Sequence, residues 1–281
     1  MPKILNTFTC ILLILCFLCL FFGFISDKRI QISKNLSGLE RDTGVIYVVY
    51  DGDTVGIEFP DRRRTKIRLI GIDSPETNHS KEQVRLLAQL SKRFAFYYLY
   101  RKQVTVTYDW EREDKYGRLL AYIWTGENGL FNEFILKEGF ASAYLQFPFK
   151  EEYRKMFIQA EESAKSSNKG LWREEPYPTI PLDHLSSFIG QTAAVQYTCQ
   201  DVESKGNFNF LHSASQVFST LIPNNSKKLF EDVEDFKGRV IRVQGFIEEY
   251  DGKPQILAFF PRQIKVIGVD KKIFINREKP K

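Results

Sequence analysis

Three charges interrupt an otherwise apolar stretch, RLIGIDSPET at residues 68–77: Arg68, Asp73 and Glu76 stand beside Leu69, Ile70 and Ile72. Charges next to a core are tolerated when they are paired or bind a metal. Upstream, YDGDTV sets Asp53 directly after an Asp51-Gly52 turn, and downstream DKYGR delivers Arg118 after a second turn. Pro75 forces Ser74 into an extended conformation, which ends the strand and turns the Ser74 carbonyl toward a site. Asp53, Asp73 and that carbonyl are hard oxygen donors, which suit Ca²⁺ and leave room for water. Arg68 and Arg118 can grip phosphate oxygens with planar forks. A divalent cation neutralises charge developing on phosphorus, and Glu76 can orient or deprotonate an attacking water. These are the parts that phosphodiester hydrolysis calls for. Each residue alone has a plainer reading: a turn aspartate, an Arg68–Glu76 salt bridge, a solvated strand start.

Positioning them requires particular elements. VIYVVYDGDTVGIEF reads as two strands joined at Asp51-Gly52, and RTKIRLIGI as a third. Strict alternation would put Arg68 and Asp73 on opposite faces, so a bulge at Gly71 or a strand end at Ile72 is expected to bring them together. Val84, Leu87, Leu90, Phe94 and Tyr98 recur at helical spacing over 81–100. VTVTYD and LLAYIW are two further strands. LFNEFILKEG reads as a short helix closed by Gly139, and Tyr153, Phe157, Ala160 and Ala164 mark one face of a third helix. Five short strands with a helix after the third predict a small closed barrel of the OB type.

DGDTV, RLIGIDSPET and DKYGRLLAYIW, in this order and at these separations, resemble the staphylococcal nuclease (thermonuclease) family. The resemblance runs from about 44 to 173 and includes FPFKEEYRKMFIQAEESAKSSNKGLW. It implies a five-stranded OB barrel with three helices and a Ca²⁺-dependent endonuclease acting on DNA and RNA, leaving 3′-phosphate and 5′-hydroxyl ends. By the same resemblance Asp53, Asp73 and the Ser74 carbonyl match the metal ligands, Glu76 the general base, and Arg68 and Arg118 the phosphate-binding pair. Tyr116, Tyr144 and Phe147 fall near the nucleotide pocket as substrate-binding residues; packing is their competing reading. The segment TNHSKEQVRLL after Glu76 lacks the Tyr-Gly-x-Glu-Ala run that often starts the family's first helix.

The chain has 281 residues, 43% of them hydrophobic, and a formal net charge of +5. That charge permits a nucleic-acid partner without announcing one. The expected class is α+β, mainly β: a nuclease domain over 44–175, a linker over 176–187, a second, smaller OB-fold-like barrel over 188–270 and a basic tail over 271–281. The second barrel resembles nucleic-acid-binding OB modules, and within it Phe208 and Phe210 read as a core face. Residues 4–26 carry no charge and are long enough to span a bilayer as an N-terminal hydrophobic helix. No small-x-small cleavage site follows, so an uncleaved anchor fits better than a signal peptide. Residues 27–43 then form a stalk. The expected protein is a monomer, membrane-anchored with its nuclease domain outside the cytoplasm, or secreted. Three of the four cysteines lie in the apolar segment and only Cys199 beyond it, which excludes a disulfide framework there. The alternatives are a catalytically silent nucleic-acid-binding protein, and a nuclease whose C-terminal domain binds protein partners.

Overall fold

Alternating apolar residues on both sides of the Asp51-Gly52 turn build the first hairpin: β1 (Arg41–Val49) and β2 (Thr54–Glu58) point Ile46, Val49, Val55 and Ile57 into the core. A computed structural model describes residues 40–173 and 177–270. The apolar segment 4–26, the stalk up to residue 39 and the 271–281 tail lie outside the described residues. β1 begins at Arg41, inside the last residues of the expected stalk.

After the hairpin come β3 (Arg64–Leu69), the short β4 (Ile72–Asp73) and α1 (Glu82–Leu99). β5 (Gln103–Thr107), β6 (Leu119–Thr125) and β7 (Gly129–Leu130) follow. α2 (Phe131–Lys137), β8 (Ser142–Ala143) and α3 (Glu151–Ser166) complete this half. The strands run β3-β2-β1-β5-β6, and β6 returns parallel to β3, which closes a five-stranded barrel. Tyr153, Phe157, Ala160 and Ala164 of α3 are all buried, as their spacing predicts.

The second half repeats the plan. β9 (Thr179–Ile180) precedes β10 (Thr192–Thr198), β11 (Asp201–Lys205), β12 (Phe208–His212) and β13 (Ser219–Pro223). A single helical turn, α4 (Asn224–Lys227), leads toward β14 (Arg239–Tyr250), β15 (Lys253–Leu257) and β16 (Ile264–Val269). β10 and β11 act as two halves of one bent first strand: β10 pairs with β14 and β11 with β12. β13 lies parallel to β15, as β3 does to β6. Both barrels therefore follow one topology, with five strands and the same parallel closure. Within the expected linker, β9 pairs in parallel with β10, and Leu182–Phe188 wind into a 3₁₀ helix with Leu185 buried. Phe208 and Phe210 do not form a core face. The inward register positions of β12 are Asn209 and Leu211, so the two phenylalanines sit half-buried on the outside.

The two barrels share a core through α1. Phe246 of β14 and Phe260, both nearly fully buried, belong to the apolar cluster of the first barrel. The Phe246 ring lies 6.0 Å from Phe94 and 5.6 Å from Tyr97, both edge-on. Arg93 pairs with Glu248, which is only 5% exposed and also accepts from Gln255 Nε2 at 3.1 Å. The Tyr98 hydroxyl donates to the Gly190 carbonyl at 3.3 Å. This explains why α1 departs from its predicted single stripe. Leu90 and Phe94 are buried as expected, but Ala88, Ser91, Ala95 and Leu99 are buried too, because the helix is covered on more than one side.

Phe246→Ala should destabilise the protein by about 3–5 kcal/mol, the usual cost of emptying a buried phenylalanine site. All three tryptophans, at 110, 124 and 172, report on the first barrel. Tryptophan-monitored urea unfolding should therefore shift to lower denaturant, although the substitution lies in the second barrel. An unmoved transition would show that the barrels are not coupled through this contact.

Candidate active site

The site forms where β2 starts, β3 ends and the β5–β6 loop returns. The Asp51-Gly52-Asp53 turn presses its backbone onto α1: a Cβ at Gly52 would lie 1.9 Å from Ser91 Oγ and 2.8 Å from Ser74 Cβ. That close approach buries Asp53, which is 6% exposed. Its carboxylate is held from several sides, by Ser74 N–H at 2.6 Å, Thr54 Oγ1 at 2.8 Å and Arg68 Nη1 at 3.3 Å. The Asp53 carbonyl accepts from Leu69 N–H at 2.9 Å, and the sheet register sets Thr54 opposite Arg68.

β3 stops at Leu69 and β4 starts at Ile72, with Gly71 between them at φ +74°. A side chain at Gly71 would be strained there and would also meet the Phe157 ring at 2.6 Å. This bend is the device that alternation required. It carries Asp73 to the same end as Arg68, whose Nη2 donates to Asp73 Oδ1 at 2.9 Å. Arg68 Nη1 donates further to the carbonyls of Ile72 at 2.7 Å and Leu69 at 3.1 Å. One guanidinium thus ties together the bend, the first turn and both expected metal carboxylates.

Arg118 comes from the turn before β6, the strand that pairs with β3. The parallel register sets Arg68 beside Leu120, so Arg118 stands two residues before that level on the adjacent strand. Asp114 holds it, accepting from Arg118 Nε at 2.6 Å, Arg118 N–H at 3.0 Å and Tyr116 N–H at 2.9 Å. The terminal amino groups are then what an incoming anion would meet. Tyr116 is 71% exposed, with the Arg118 guanidinium 5.5 Å from its ring centre. Tyr144 donates its N–H to the Gly71 carbonyl at 2.9 Å, which sets it beside the bend. Phe147 is exposed and its ring lies 5.7 Å from that of Tyr144, so both stand outside the core. Glu76 is exposed on the loop after Pro75, where its carbonyl accepts from His79 N–H at 3.3 Å.

The donors fit a hard cation. Burial, and then the charge of Asp53, push the Asp51 carboxyl up to about 6. Burial and the same neighbour also raise Asp73, with Arg68 pulling the other way and Glu76 adding to the rise. Crowded carboxylates whose charged forms are disfavoured gain most from a cation among them. Among the described residues no three Asp, Glu, His or Cys side chains converge as a metal cage. Two carboxylates, a peptide carbonyl and water, a hard-oxygen set, are what the chain can offer.

Two residues with evident roles were not singled out from the sequence, and a third, Asp51, was read only as part of the Asp51-Gly52 turn. Asp51 accepts from Asp53 N–H at 3.1 Å and shapes the first turn. Asp114 positions Arg118. Asn132 is fully buried on α2, accepting from Ile123 N–H at 3.0 Å and donating to the Ile70 carbonyl at 2.9 Å, which pins the bend from behind. The repeated aspartate of DGDT and the aspartate opening DKYGR were visible signals for Asp51 and Asp114; Asn132 had none.

Burial works against the charge of Asp114, but the hydrogen bonds from Arg118 and Tyr116 outweigh it and hold the carboxyl below its usual range. A depressed carboxyl stabilises the fold fully above the unfolded value, about 3.9, and that contribution is lost as pH falls through the lower folded value. Asp114→Asn should therefore lose less stability than the wild type between about pH 5 and pH 2. Urea midpoints across that range provide the measurement, and parallel curves for the two proteins would contradict it.

Residues 66–174 match the family description "Staphylococcal nuclease homologue". The chain is 34% identical to the thermonuclease of Staphylococcus intermedius over 139 residues, which are 50% of this chain and 81% of that protein. It is 34% identical to the Staphylococcus hyicus thermonuclease over 140 residues, again 50% and 81%. It is 32% identical to endonuclease YhcR of Bacillus subtilis over 170 residues, 55% of this chain and 14% of that much longer protein.

Proposed function

The chain belongs to the staphylococcal nuclease family, and from that premise we propose that it is a Ca²⁺-dependent endonuclease of DNA, RNA or both, leaving 3′-phosphate and 5′-hydroxyl ends. The observation that carries the reading is the convergence of Asp53, Asp73, Ser74 and Arg68 at one barrel end, with Arg118 on the neighbouring strand. The half-buried Arg68 guanidinium between two carboxylates favours this reading over a catalytically silent binding protein.

In this reading Asp53, Asp73 and the Ser74 carbonyl hold the ion, which when bound supplies neutralisation of charge on the phosphate. Arg118 donates its terminal N–H groups to the phosphate oxygens in a bidentate fork. Arg68, already satisfied by two carbonyls and two carboxylates, fixes the metal carboxylates in place and adds positive potential under the phosphate. Glu76 faces solvent and can take a proton from the attacking water. Tyr116, Tyr144 and Phe147 offer ring faces to the bases on either side. The apolar segment 4–26 is the basis for placing this activity at a membrane or outside the cell.

Three expectations test the proposal. A chelator should abolish cleavage of plasmid DNA and of RNA while circular dichroism stays unchanged, since the barrel core is independent of the ion; undiminished cleavage would refute the calcium requirement. Glu76→Gln should keep oligonucleotide affinity and lose about 10²–10⁴ in turnover, the range that general-base catalysis supplies. Arg118→Lys should also be severely impaired, because an ammonium cannot reproduce the fork. Near-wild-type rates in both variants would show that the site has been wrongly placed.

A further inference from the structure

The site does not end at Arg68. Strand β3 alternates, and its outward positions are Arg64, Lys66 and Arg68, while Ile67 and Leu69 point into the core. Two residues of strand advance about 6.6 Å, a step comparable with the separation of successive phosphates in an extended strand. Continued one residue back, the parallel register that sets Ile67 against Leu119 brings Arg118 alongside Lys66. Cations therefore line up along the outside of the barrel, starting at the catalytic arginines and leading away from them.

Aromatic rings alternate with these cations. Lys66 Nζ lies 4.3 Å from the ring centre of Tyr50, and the Arg64 guanidinium 4.8 Å from that of Tyr47. Tyr50 is 39% exposed and stands three residues before Asp53, so it borders the site. Tyr47 occupies the bulge where the pairing of β1 with β2 shifts between Ile46 and Val48. The extra residue turns Tyr47 and Val48 outward together, over the bare backbone of Gly56. Glu58 pairs with Arg64 at 2.6 Å and Arg62 at 3.3 Å and tempers the far end of the row. Lys66 forms no ion pair with a carboxylate among the described residues. Residues 58–66 still carry a net +2, from four cations (Arg62, Arg63, Arg64, Lys66) and two carboxylates (Glu58, Asp61).

We propose that the outer face of β1–β3 is an extended substrate subsite, in which Lys66 and Arg64 hold phosphates next to the cleaved one and Tyr50 and Tyr47 stack the attached bases. Flat ring faces serve bases that are not paired, and a cationic groove tracks a phosphate backbone without reading its sequence. The substrate class this selects is an unpaired strand several nucleotides long. The inference rests on the nuclease reading for its orientation, but its binding arm does not require turnover.

The test compares wild type, Lys66→Ala, Lys66→Arg and Tyr50→Ala in the full-length protein. Fluorescence anisotropy with labelled (dT)12 at low salt measures binding, and kcat/KM is read on (dT)12 and on the dinucleotide TpT. Lys66→Ala and Tyr50→Ala should each weaken (dT)12 binding about tenfold, the scale of one stacked base or one desolvated contact. The loss in kcat/KM on (dT)12 should exceed that on TpT by a similar factor and should fall in KM. The Lys66→Ala salt slope should drop by about 0.7, one phosphate on a single strand, and Lys66→Arg should restore it. Unaltered (dT)12 affinity in both alanine variants, or equal losses on the two substrates, would overturn the subsite. Weakened binding to phosphatidylserine vesicles with no loss on (dT)12 would overturn it in favour of a lipid surface. If wild type bound (dT)12 and cleaved neither substrate, the nuclease reading would fail, and the anisotropy ratios would still decide the subsite.

Discussion

A guanidinium that is only 14% exposed has to be answered on every side, and the way Arg68 is answered organises the end of the first barrel. Its partners come from three places in the chain: the carbonyls of Leu69 and Ile72 across the bend, the Asp73 carboxylate beyond it, and Asp53 from the preceding hairpin. Moving any of these groups would cost the half-buried guanidinium one of its partners. Asp53 and Asp73, the carboxylates proposed to hold the cation, are thus fixed in position by protein contacts alone. Preorganisation of this kind lets electrostatic stabilisation act without rearrangement at the moment of reaction. Asn132 and Asp114 extend the same logic outward, one bracing the bend from the core and the other aiming Arg118.

Much of this was legible in the sequence because it is encoded locally. Asp-Gly marks a hairpin by turn chemistry alone, and the convergence of Arg68 with Asp73 needed only a glycine at the right place between them. The helical face of Tyr153, Phe157, Ala160 and Ala164 follows from spacing. What was not legible depends on partners far along the chain. Asn132 meets Ile70 across 62 positions, and nothing about an asparagine in an apolar helix predicts which peptide groups it will satisfy. The broad burial of α1 reflects Phe246 and Glu248, more than 150 residues after Phe94 and Arg93. The phase of β12 was misread because Phe208 and Phe210 alternate as a core face would. Asn209 and Leu211 took the inward positions, with Asn209 satisfied by the Ile222 carbonyl and Asn224.

The two barrels show how one topology is put to different uses by which outer face is covered. In the first, the outside of β3 remains open beside the site. In the second, alternate residues of β14 face outward: Ile241, Val243 and Ile247 fill its own core, while Phe246 and Glu248 point to α1 of its neighbour. A sheet face that would otherwise meet solvent is apolar at Phe246 and carries a nearly buried carboxylate at Glu248, and both make sense only against a partner surface. β9, within the expected linker between the barrels, is paired into the second sheet.

That shared helix also sets an order of events during synthesis. Local contacts form first, and contacts across long separations wait for the chain that makes them. The strands and helices of the first barrel are complete on the nascent chain well before Phe246 and Phe260 have been made. Until then the flank of α1 that carries Tyr97 lacks the Phe246 ring, while Phe94 already packs on Phe131, Phe134 and Phe140 of its own barrel. A part of the first barrel's apolar surface is therefore covered only once β14 and Phe260 have been made. The first core is thus closed from both ends of the described chain, mostly by its own residues and at one flank by Phe246 and Phe260.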